Sequence, residues 1–470
     1  MSPEQIGFTL LYLGVFLLIG KWIRVKVKWT QNIFLPSSII GGFVALILGP
    51  QVLGKLLAYF DIVSNDSFFV NGIIPEEVQD VWSELPGLMI SVVFATLFLG
   101  TKIPSIKKIW HLAGAQLSFG WTIGWGQYVL GILLAVLVLS PVFGLPPITG
   151  ALIEIAFEGG HGTAAGMGET FEKLGFAEGY DLSVGLATVG LLSGVIVGII
   201  LINWAVRKNK TKVIENVEGF SDLRKQGIME FQNREPAAHM TVRVESIEPL
   251  SLHFALVGLG VLVGYLIQQF LIWSESAIFS SDFMTYIPLF PLAMIGGIII
   301  QIIFSKVDRS HILNRPMINR IQGFALDILI VTAIGTISLD VIGSNFIPFL
   351  LLAALGVIWN VFGVLVLAPR IIPSYWFERA IGDFGQSTGV TATGLLLMRV
   401  VDPENDSPAF ESFGYKQLVF EPFLGGGFVT ALSLPLIYKF GPVPFLLISV
   451  VMCLLGLLSG LLYFGRRKEG

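Results

Sequence analysis

The stretch from Gly159 to Thr163, with the sequence Gly-Gly-His-Gly-Thr, has residue types suited to binding an anion and a cation. Glycines let the main chain turn and expose its amide groups, and a helix that begins just after them presents its positive end. Such a helix start binds a carboxylate without a buried lysine. The carbonyl groups of an unwound segment and the hydroxyl group of Thr163 suit Na⁺, which takes oxygen ligands. We therefore expect ligand contacts from Gly159, Gly160, His161, Gly162 and Thr163.

Two other interpretations of this stretch stay open. His161 could donate to a substrate oxygen or bridge two backbone groups. Gly162 and Gly166 have the spacing of a small-residue helix contact, which would make the stretch a packing face. A similar stretch near the C-terminus favours the ligand site, because packing alone is a poor explanation for both.

The second stretch runs from Gly382 to Gly394 and places an acid, an amide and hydroxyl groups between glycines. A carboxylate such as Asp383 inside an apolar segment marks function by default, because its burial is costly. Its expected partner is a bound cation or Arg379, and the alternative is a salt bridge at the mouth of a hairpin. Hydroxyl groups here supply oxygen ligands or bond back to the preceding turn. They belong to Ser387, Thr388, Thr391 and Thr393.

Four further polar residues lie in apolar segments. Glu154 and Glu158 are four residues apart, so on a helix they share one face and could bind a cation or share a proton. Alternatively, both are wetted near the outer surface. Gln127 and Asn360 occupy corresponding spans, where ligand contact and interhelical hydrogen bonding explain them equally well. The expected sodium ligands are Asp383, Thr391, Thr393, Glu158, Gln127 and Asn360.

The elements that position these residues follow from composition. The chain has 470 residues, 54 % hydrophobic and only 13 % charged, with a mean hydropathy of +0.78. Soluble domains have about 25 % charged residues, so this composition excludes a soluble enzyme, a disordered chain and a nucleic-acid binder. A single cysteine, Cys453, excludes a disulfide framework. This composition predicts an all-α polytopic membrane protein. Because the sequence has no His-Glu-x-x-His motif, we expect neither enzymatic activity nor a cofactor.

Membrane spans and their orientation can be predicted from apolar length and basic residues. A bilayer core of about 30 Å needs about 20 apolar residues per helix. Eleven stretches fit, at 5–23, 33–57, 85–101, 112–140, 182–205, 250–272, 287–305, 324–342, 347–369, 419–438 and 443–464. All but three of the 29 lysines and arginines then face the cytoplasm, and Lys416 is one of those that do. The three exceptions are Lys55, Lys173 and Lys439. This bias places the N-terminus outside and the C-terminus inside.

Residues 150–170 and 380–398 fit no crossing, because glycines and hydroxyl groups interrupt both apolar stretches. If both crossed the membrane, the basic loops that follow would lie on the wrong side. We therefore predict two re-entrant hairpins that enter from opposite sides and converge. Non-helical backbone at this depth is tolerated only where it is buried in protein or lines an aqueous cavity.

The second half of the chain repeats features of the first. Pro36 to Gly42 matches Pro291 to Gly297, and Gly160 to Thr163 matches Gly385 to Thr388. A Phe-Glu-x-x-Gly-aromatic sequence follows each predicted hairpin. Five crossings per copy is an odd number, which predicts inverted-topology repeats and an alternating-access transporter. The predicted divisions are the first repeat at 1–206, a cytoplasmic linker at 207–248, the second repeat at 249–440, and an extra span with a basic tail at 441–470.

With these motifs the chain resembles the bacterial sodium/glutamate symporter family. The resemblance rests on Gly159 to Thr163, on the downstream Gly175 and Phe176, and on Gly382 to Thr393, and it covers nearly the whole chain. It implies uptake of L-glutamate coupled to Na⁺, inverted five-helix halves, an elevator-like motion and a homodimer among the lipids of the inner membrane. By the same resemblance, the substrate path is lined by Gly160 to Thr163 and by Gly385, Gln386, Ser387, Thr388 and Gly389.

Two other functions stay open at this point. One is Na⁺-coupled transport of another organic anion, such as malate or citrate. The other is an ion channel, although two inverted copies in one chain favour alternating access. Glu158 and Asp383 depart from the family pattern, which leaves the substrate and the number of Na⁺ ions undetermined.

Overall fold

The computed structural model of the chain describes residues 3–62, 69, 71–101, 106–213, 222–278, 282–308, 310–403 and 405–466. Within these ranges the chain is all-helical and has no strand. Residues 214–221 of the expected linker and 467–470 of the expected tail lie outside the described residues, as do the basic residues Lys102 and Arg309.

The α-helices of the first half are α1 (Pro3–Lys26), α2 (Lys28–Asn32), α3 (Ser37–Leu48), α4 (Lys55–Tyr59), α5 (Glu76–Thr96), α6 (Ile106–Leu134), α7 (Ser140–Phe143), α8 (Leu152–Phe157), α9 (Gly160–Gly166), α10 (Gly168–Lys173), α11 (Glu178–Arg207) and α12 (Asp222–Lys225). Those of the second half are α13 (Pro249–Ile278), α14 (Leu289–Val307), α15 (Arg315–Gly335), α16 (Leu339–Ser344), α17 (Phe346–Phe362), α18 (Ala368–Ile371), α19 (Trp376–Val401), α20 (Ala409–Phe420), α21 (Phe428–Phe440) and α22 (Pro442–Ser459). Single π-helical turns follow α3, α6, α17 and α22.

Among the described residues, nine helices are long and apolar enough to cross a membrane. They are Gly7–Lys26, Ser37–Tyr59, Ile109–Phe143, Glu178–Arg207, Pro249–Ile278, Leu289–Val307, Arg315–Gly335, Phe346–Ile371 and Pro442–Phe464. The prediction of an all-α, multi-pass membrane protein is thus confirmed. The predicted number of eleven spans is higher than the number of such helices.

The two remaining predicted spans differ from the structure. At 85–101 the helix α5 begins earlier, at Glu76, so its first turn is acidic. At 419–438 there is no single helix, because α20 ends at Phe420 and α21 begins at Phe428. Gly425 and Gly426 between them have φ angles of +70° and +100°, a left-handed conformation that ends a helix. The prediction of one continuous span at 419–438 is therefore wrong.

The chain divides into two compact units, each built from both halves of the sequence. Unit 1 contains Met1–Lys102, Ala165–Glu169 and Phe220–Asp340, and unit 2 contains Ile103–Ala164, Thr170–Gly219 and Val341–Gly470. These boundaries describe packing, whereas the boundaries at 206 and 248 describe the predicted repeats. The repeats remain a prediction.

Unit 1 is packed through small residues where helices approach closely. In it α1 packs on α3, α13 packs on α14, and α5 and α15 contact both pairs. A Cβ atom added to Gly41 would lie 2.6 Å from the carbonyl oxygen of Phe16, and one added to Gly264 would lie 2.5 Å from Cα of Ala293. The Pro…Gly-Gly helices α3 and α14, which match in sequence, therefore pack closely on α1 and α13, respectively. The fully buried Trp82 fills the core beside α1.

Unit 2 is organised around α6, on which α20 and α22 pack, while α11 packs along α19. A π turn follows α6 at Ala135–Leu139, and another follows α17 at Gly363–Leu367. The next residues are Ser140-Pro141 and Ala368-Pro369, so Leu-Val-Leu-x-Pro occurs at both places. A proline has no N–H to donate and crowds the preceding turn, which accounts for the wider turn in both helices. This match between the halves was not predicted from the sequence.

The described ends of the expected linker are each held by one unit. In unit 2, the fully buried Glu378 accepts hydrogen bonds from the backbone N–H groups of Lys212 and Val213. In unit 1, the ammonium group of Lys21 donates to the carbonyl oxygens of Gln226 at 3.0 Å and Gly227 at 2.7 Å. The linker is therefore held at two places, one on each side of residues 214–221.

Candidate functional site

The first predicted hairpin consists of short helical segments with a break in the middle. A 3₁₀ turn at Pro147–Ala151 leads into α8, which ends at Phe157, and α9 begins at Gly160. Gly160 has a φ angle of +68°, which a residue with a side chain rarely adopts. The helix is thus broken at the glycine pair where the sequence predicts it.

The second predicted hairpin is α19, which is broken at Gly389 and Val390. Their φ and ψ angles, −150° and 37°, then 62° and 173°, are not helical. A Cβ atom added to Gly385 would lie 2.7 Å from Cα of Gly394, and one added to Gly382 would lie 2.8 Å from Cγ of Met398. In a straight helix, residues 382 and 398 would be about 24 Å apart at 1.5 Å per residue. The two arms of α19 therefore fold back on each other.

The two breaks meet inside unit 2. Cγ1 of Val390 occupies the space that a Cβ atom at Gly160 would need. Nearby, Nε2 of Gln386 donates a hydrogen bond to Oε2 of Glu158 at 2.9 Å. The glycine-rich break between α20 and α21 approaches the same place, because a Cβ atom at Gly425 would lie 3.4 Å from the carbonyl oxygen of Glu158. Three non-helical segments thus converge around buried polar side chains.

Lys416 lies at the centre of these side chains. Its side chain comes from α20 and is 0 % exposed, and its Nζ forms an ion pair with Oδ1 of Asp383 at 3.2 Å. The same ammonium group donates to Oε1 of Gln386. It lies 3.7 Å from the ring centroid of Phe420 and 5.7 Å from that of Phe413, positions that allow cation–π attraction.

This position corrects one sequence prediction and adds a partner to another. Lys416 was expected among the cytoplasmic basic residues, but it is buried beside the predicted site. Asp383 was expected to pair with a bound cation or with Arg379, and the structure gives it the ammonium group of Lys416. The side chain of Arg379 is also buried nearby and donates to Oε1 of Gln116 at 3.4 Å.

Gln127 and Asn360 are joined by hydrogen bonds between helices. Nε2 of Gln127 donates to Oδ1 of Asn360 at 3.2 Å. Both side-chain amides also donate to the carbonyl oxygen of Ser387, each at 2.8 Å. These two residues tie α6 and α17 to the second hairpin, as the interhelical alternative predicts. Their role as sodium ligands stays a prediction.

The two glutamates differ in how well their carboxylates are satisfied. Glu154 accepts from the hydroxyl group of Tyr128, from the backbone N–H of Gly425 at 2.9 Å and from Oγ1 of Thr430 at 2.8 Å. Glu158 accepts a hydrogen bond from Gln386 through Oε2, while its Oε1 has none. The two side chains are 0 % and 2 % exposed, so the alternative that both are wetted at the surface is wrong.

Oxygen atoms without a hydrogen-bond partner are concentrated in this cluster. Apart from Asp383, which has its ion pair, the predicted site residues leave four such buried atoms: Oε1 of Gln127, Oε1 of Glu158, Oγ1 of Thr163 and Oγ of Ser387. Buried oxygens are nearly always paired in native structures. Unpaired ones in one region therefore indicate a place where a ligand, an ion or water molecules satisfy them.

The remaining predicted residues bond to their surroundings. Nε2 of His161 lies 2.9 Å from Oγ1 of Thr188. The hydroxyl groups of Thr388 and Thr393 donate to carbonyl groups four residues earlier, at 2.7 and 2.5 Å, as the back-bonding alternative predicts. The hydroxyl group of Thr391 donates to Oε1 of Glu421 at 2.9 Å.

Comparison with known proteins agrees with the sequence resemblance. The model of the sodium/glutamate symporter family matches residues 5–402. The sodium/glutamate symporter of Escherichia coli (strain K12) is 23 % identical over 428 residues, which cover 90 % of this chain and 93 % of that protein. The sodium/glutamate symporter of Haemophilus influenzae is 22 % identical over 438 residues, covering 91 % and 95 %. Lys416 lies beyond the residues that the family model matches.

Proposed function

The chain belongs to the sodium/glutamate symporter family, and on that premise we propose that it carries L-glutamate into the cell by symport with Na⁺. As a member of this family it is a transporter and not an enzyme, and Na⁺ is its coupling ion. The single observation that best supports the proposal is the meeting of the two broken helices at Gly160 and Val390. Broken helices that meet around buried polar groups are the usual form of a transporter binding site.

We propose that the substrate lies against the two breaks. Its contacts are those expected from the sequence, Gly159 to Thr163 on one side and Gly385 to Gly389 on the other. The non-helical backbone at Gly160 and at Gly389-Val390 can supply donors and acceptors there. The hydroxyl group of Thr163, which has no partner, adds one more polar contact.

For Na⁺ we propose a site beside Glu158. Its Oε1 atom is buried without a hydrogen bond, as are Oγ of Ser387 and Oε1 of Gln127. The second amide, of Asn360, fixes the carbonyl oxygen of Ser387 at 2.8 Å. Oxygen atoms of this kind match the ligand preference of a hard cation. Asp383, Thr391 and Thr393 are the other ligands expected from the sequence, but Asp383 is paired with the ammonium group of Lys416.

Alternating access between inverted repeats is the proposed mechanism. In support, both halves contain a Pro…Gly-Gly helix, a π turn that ends in the Leu-Val-Leu of a Leu-Val-Leu-x-Pro sequence, and a broken helix, in the same order. We propose that unit 2, which contains both breaks, is the part that carries the solute in an elevator-like motion. The expected homodimer and the orientation, with the N-terminus outside and the C-terminus in the cytoplasm of the inner membrane, belong to the same proposal.

The test is uptake into liposomes that contain the purified protein. An inward Na⁺ gradient should drive accumulation of labelled L-glutamate, and a choline gradient should not. Unlabelled glutamate should compete more strongly than malate or citrate. Uptake that ignores Na⁺ would disprove the symport. Stronger competition by malate or citrate would favour the other organic anion, and single-channel currents without saturable uptake would favour a channel.

A further inference from the structure

We propose that the ammonium group of Lys416 serves as a built-in cation at Asp383. It occupies the place where this carboxylate would otherwise bind a mobile cation. Asp383 then binds no Na⁺ in the intact protein, and Glu158 is left as the acid available to a mobile ion. The inference refines the sodium ligands of the proposed function and rests on it only for the identity of the ion.

The surroundings of Nζ of Lys416 are those of a bound cation. A carboxylate oxygen of Asp383 lies 3.2 Å away, and the amide oxygen of Gln386 accepts from it. The ring of Phe420, whose centroid is 3.7 Å away, supplies a negative π face. Two oxygens and an aromatic face are thus directed at one positive charge.

The burial of this pair makes the ammonium group indispensable to Asp383. The side chains of Lys416 and Asp383 are 0 % and 1 % exposed. Removing one partner of such a pair leaves the other charge buried without compensation, which is strongly unfavourable. A carboxylate left in this way is neutralised by a proton or by a small cation that can reach it.

The fold also provides space for the lysine side chain. A Cβ atom added to Gly120 of α6 would lie 2.6 Å from Cε of Lys416. The glycine at this position therefore lets the lysine pass along α6 to reach Asp383. Both the space and the charge partner indicate a specific place for this side chain.

Lys416 also orients the side chain that holds Glu158. Because Oε1 of Gln386 accepts from Lys416, its Nε2 points at Oε2 of Glu158, to which it donates at 2.9 Å. The other oxygen of Glu158 stays unpaired. Of the three acids in this cluster, Glu154 accepts three hydrogen bonds and Asp383 has the ion pair with the ammonium group, whereas Oε1 of Glu158 has no hydrogen bond.

The experiment measures Na⁺-dependent thermal stability of purified protein without glutamate, with choline keeping the ionic strength constant. Lys416→Met removes the charge and keeps an apolar chain of similar length. In choline the variant should have a lower melting temperature than the unaltered protein, because Asp383 is left without its charge partner. Added Na⁺ should then stabilise it, since a bound ion stabilises the folded state by mass action. Its melting temperature should rise more steeply with Na⁺ concentration than that of the unaltered protein. The difference in slope should correspond to the binding of one additional Na⁺ ion.

The double substitution Lys416→Met with Asp383→Asn should return the Na⁺ slope to that of the unaltered protein and restore stability in choline. Lys439→Met, at an exposed lysine in α21, is the control and should leave the slope unchanged. An unchanged slope in Lys416→Met would overturn the inference. So would a slope that stays steep in the double variant, or a Lys416→Met protein that neither Na⁺ nor Asp383→Asn stabilises.

The two proposals can fail separately. If uptake by the unaltered protein does not depend on Na⁺, the proposed symport is disproved, while the dependence of the melting temperatures on Na⁺ concentration still tests the role of Lys416. Conversely, equal Na⁺ slopes in all variants would remove the role of Lys416, while Na⁺-driven uptake by the unaltered protein would stand.

Discussion

Nε2 of Gln386 donates a hydrogen bond to Oε2 of Glu158 at 2.9 Å, although 228 residues separate them in the chain. Its other amide atom accepts from Lys416, so the side chain of Gln386 is held at both ends. An amide that both donates and accepts can join an acid to an ammonium group without a direct ion pair. Glu158 is therefore placed by the second broken helix while one of its oxygens remains available.

Glu158→Gln should weaken Na⁺ binding with little loss of stability. The neutral amide still fits between the same neighbours, but the charge that attracts Na⁺ is gone. We expect the Na⁺ concentration for half-maximal uptake to rise at least about tenfold, which corresponds to about 1.4 kcal/mol.

Glu154→Gln is the matched control for this change. Its carboxylate accepts three hydrogen bonds, and charged hydrogen bonds are worth about 1.5–3 kcal/mol each. This variant should lower the melting temperature and leave the Na⁺ requirement of the folded protein unchanged. Equal effects of the two substitutions on Na⁺ dependence would contradict the assignment.

Gly160→Ala should damage both stability and uptake, because its Cβ atom would enter the space of Val390. Gly175→Ala is the control, since Gly175 has a φ angle of +72° but open space around it. The strain of a left-handed conformation costs about 1–2 kcal/mol in both. Only Gly160→Ala should also lower the uptake rate, by about tenfold or more. If the two variants transport equally well, contact between the breaks is not needed for transport.

Gly385→Ala should be strongly destabilising, because the two arms of α19 touch at this residue. The added Cβ atom would lie 2.7 Å from Cα of Gly394, and main-chain atoms cannot move aside easily. Overpacking of this kind costs about 1–3 kcal/mol. Gly414→Ala, in α20 with open space around it, should be neutral or stabilising. Thermal unfolding in detergent compares the two, and equal melting temperatures would contradict the folded-back geometry.

Thr163→Val should reduce uptake without reducing stability. The hydroxyl group of Thr163 is buried and has no partner, so its removal leaves no broken hydrogen bond. We expect a severalfold higher half-saturating concentration of glutamate or Na⁺. Thr332→Val, which removes a hydroxyl group bonded to its own helix in unit 1, should leave transport unchanged. Normal kinetics in Thr163→Val would remove this residue from the site.

Sequence alone located the two breaks, because local signals determine them. The pair Gly159-Gly160 and the run from Gly382 to Gly394 interrupt apolar segments, and only glycine adopts the φ angle of +68° at Gly160 without strain. The all-helical membrane class followed from composition for a similar reason. Both are properties of short stretches and require no knowledge of tertiary contacts.

The position of Lys416 could not be found in this way, because it depends on distant residues. A lone lysine near predicted span ends is usually cytoplasmic. Its burial follows from Asp383, which is 33 positions away, and from the space at Gly120. One sequence signal was present, since Phe413, Lys416 and Phe420 lie on one face of α20 and surround the lysine with aromatic rings.

The interleaving of the two compact units has a consequence for biosynthesis. Met1–Lys102 belongs to one unit with Phe220–Asp340, and Ile103–Ala164 and Thr170–Gly219 belong to the other with Val341–Gly470. A ribosome that has made the first half has therefore produced helices that still lack some of their partners. Such helices remain incompletely packed in the membrane, accessible to chaperones and proteases, until the second half of the chain has been synthesised. Fragments cut within the linker should regain their packing only when both halves are produced in the same cell.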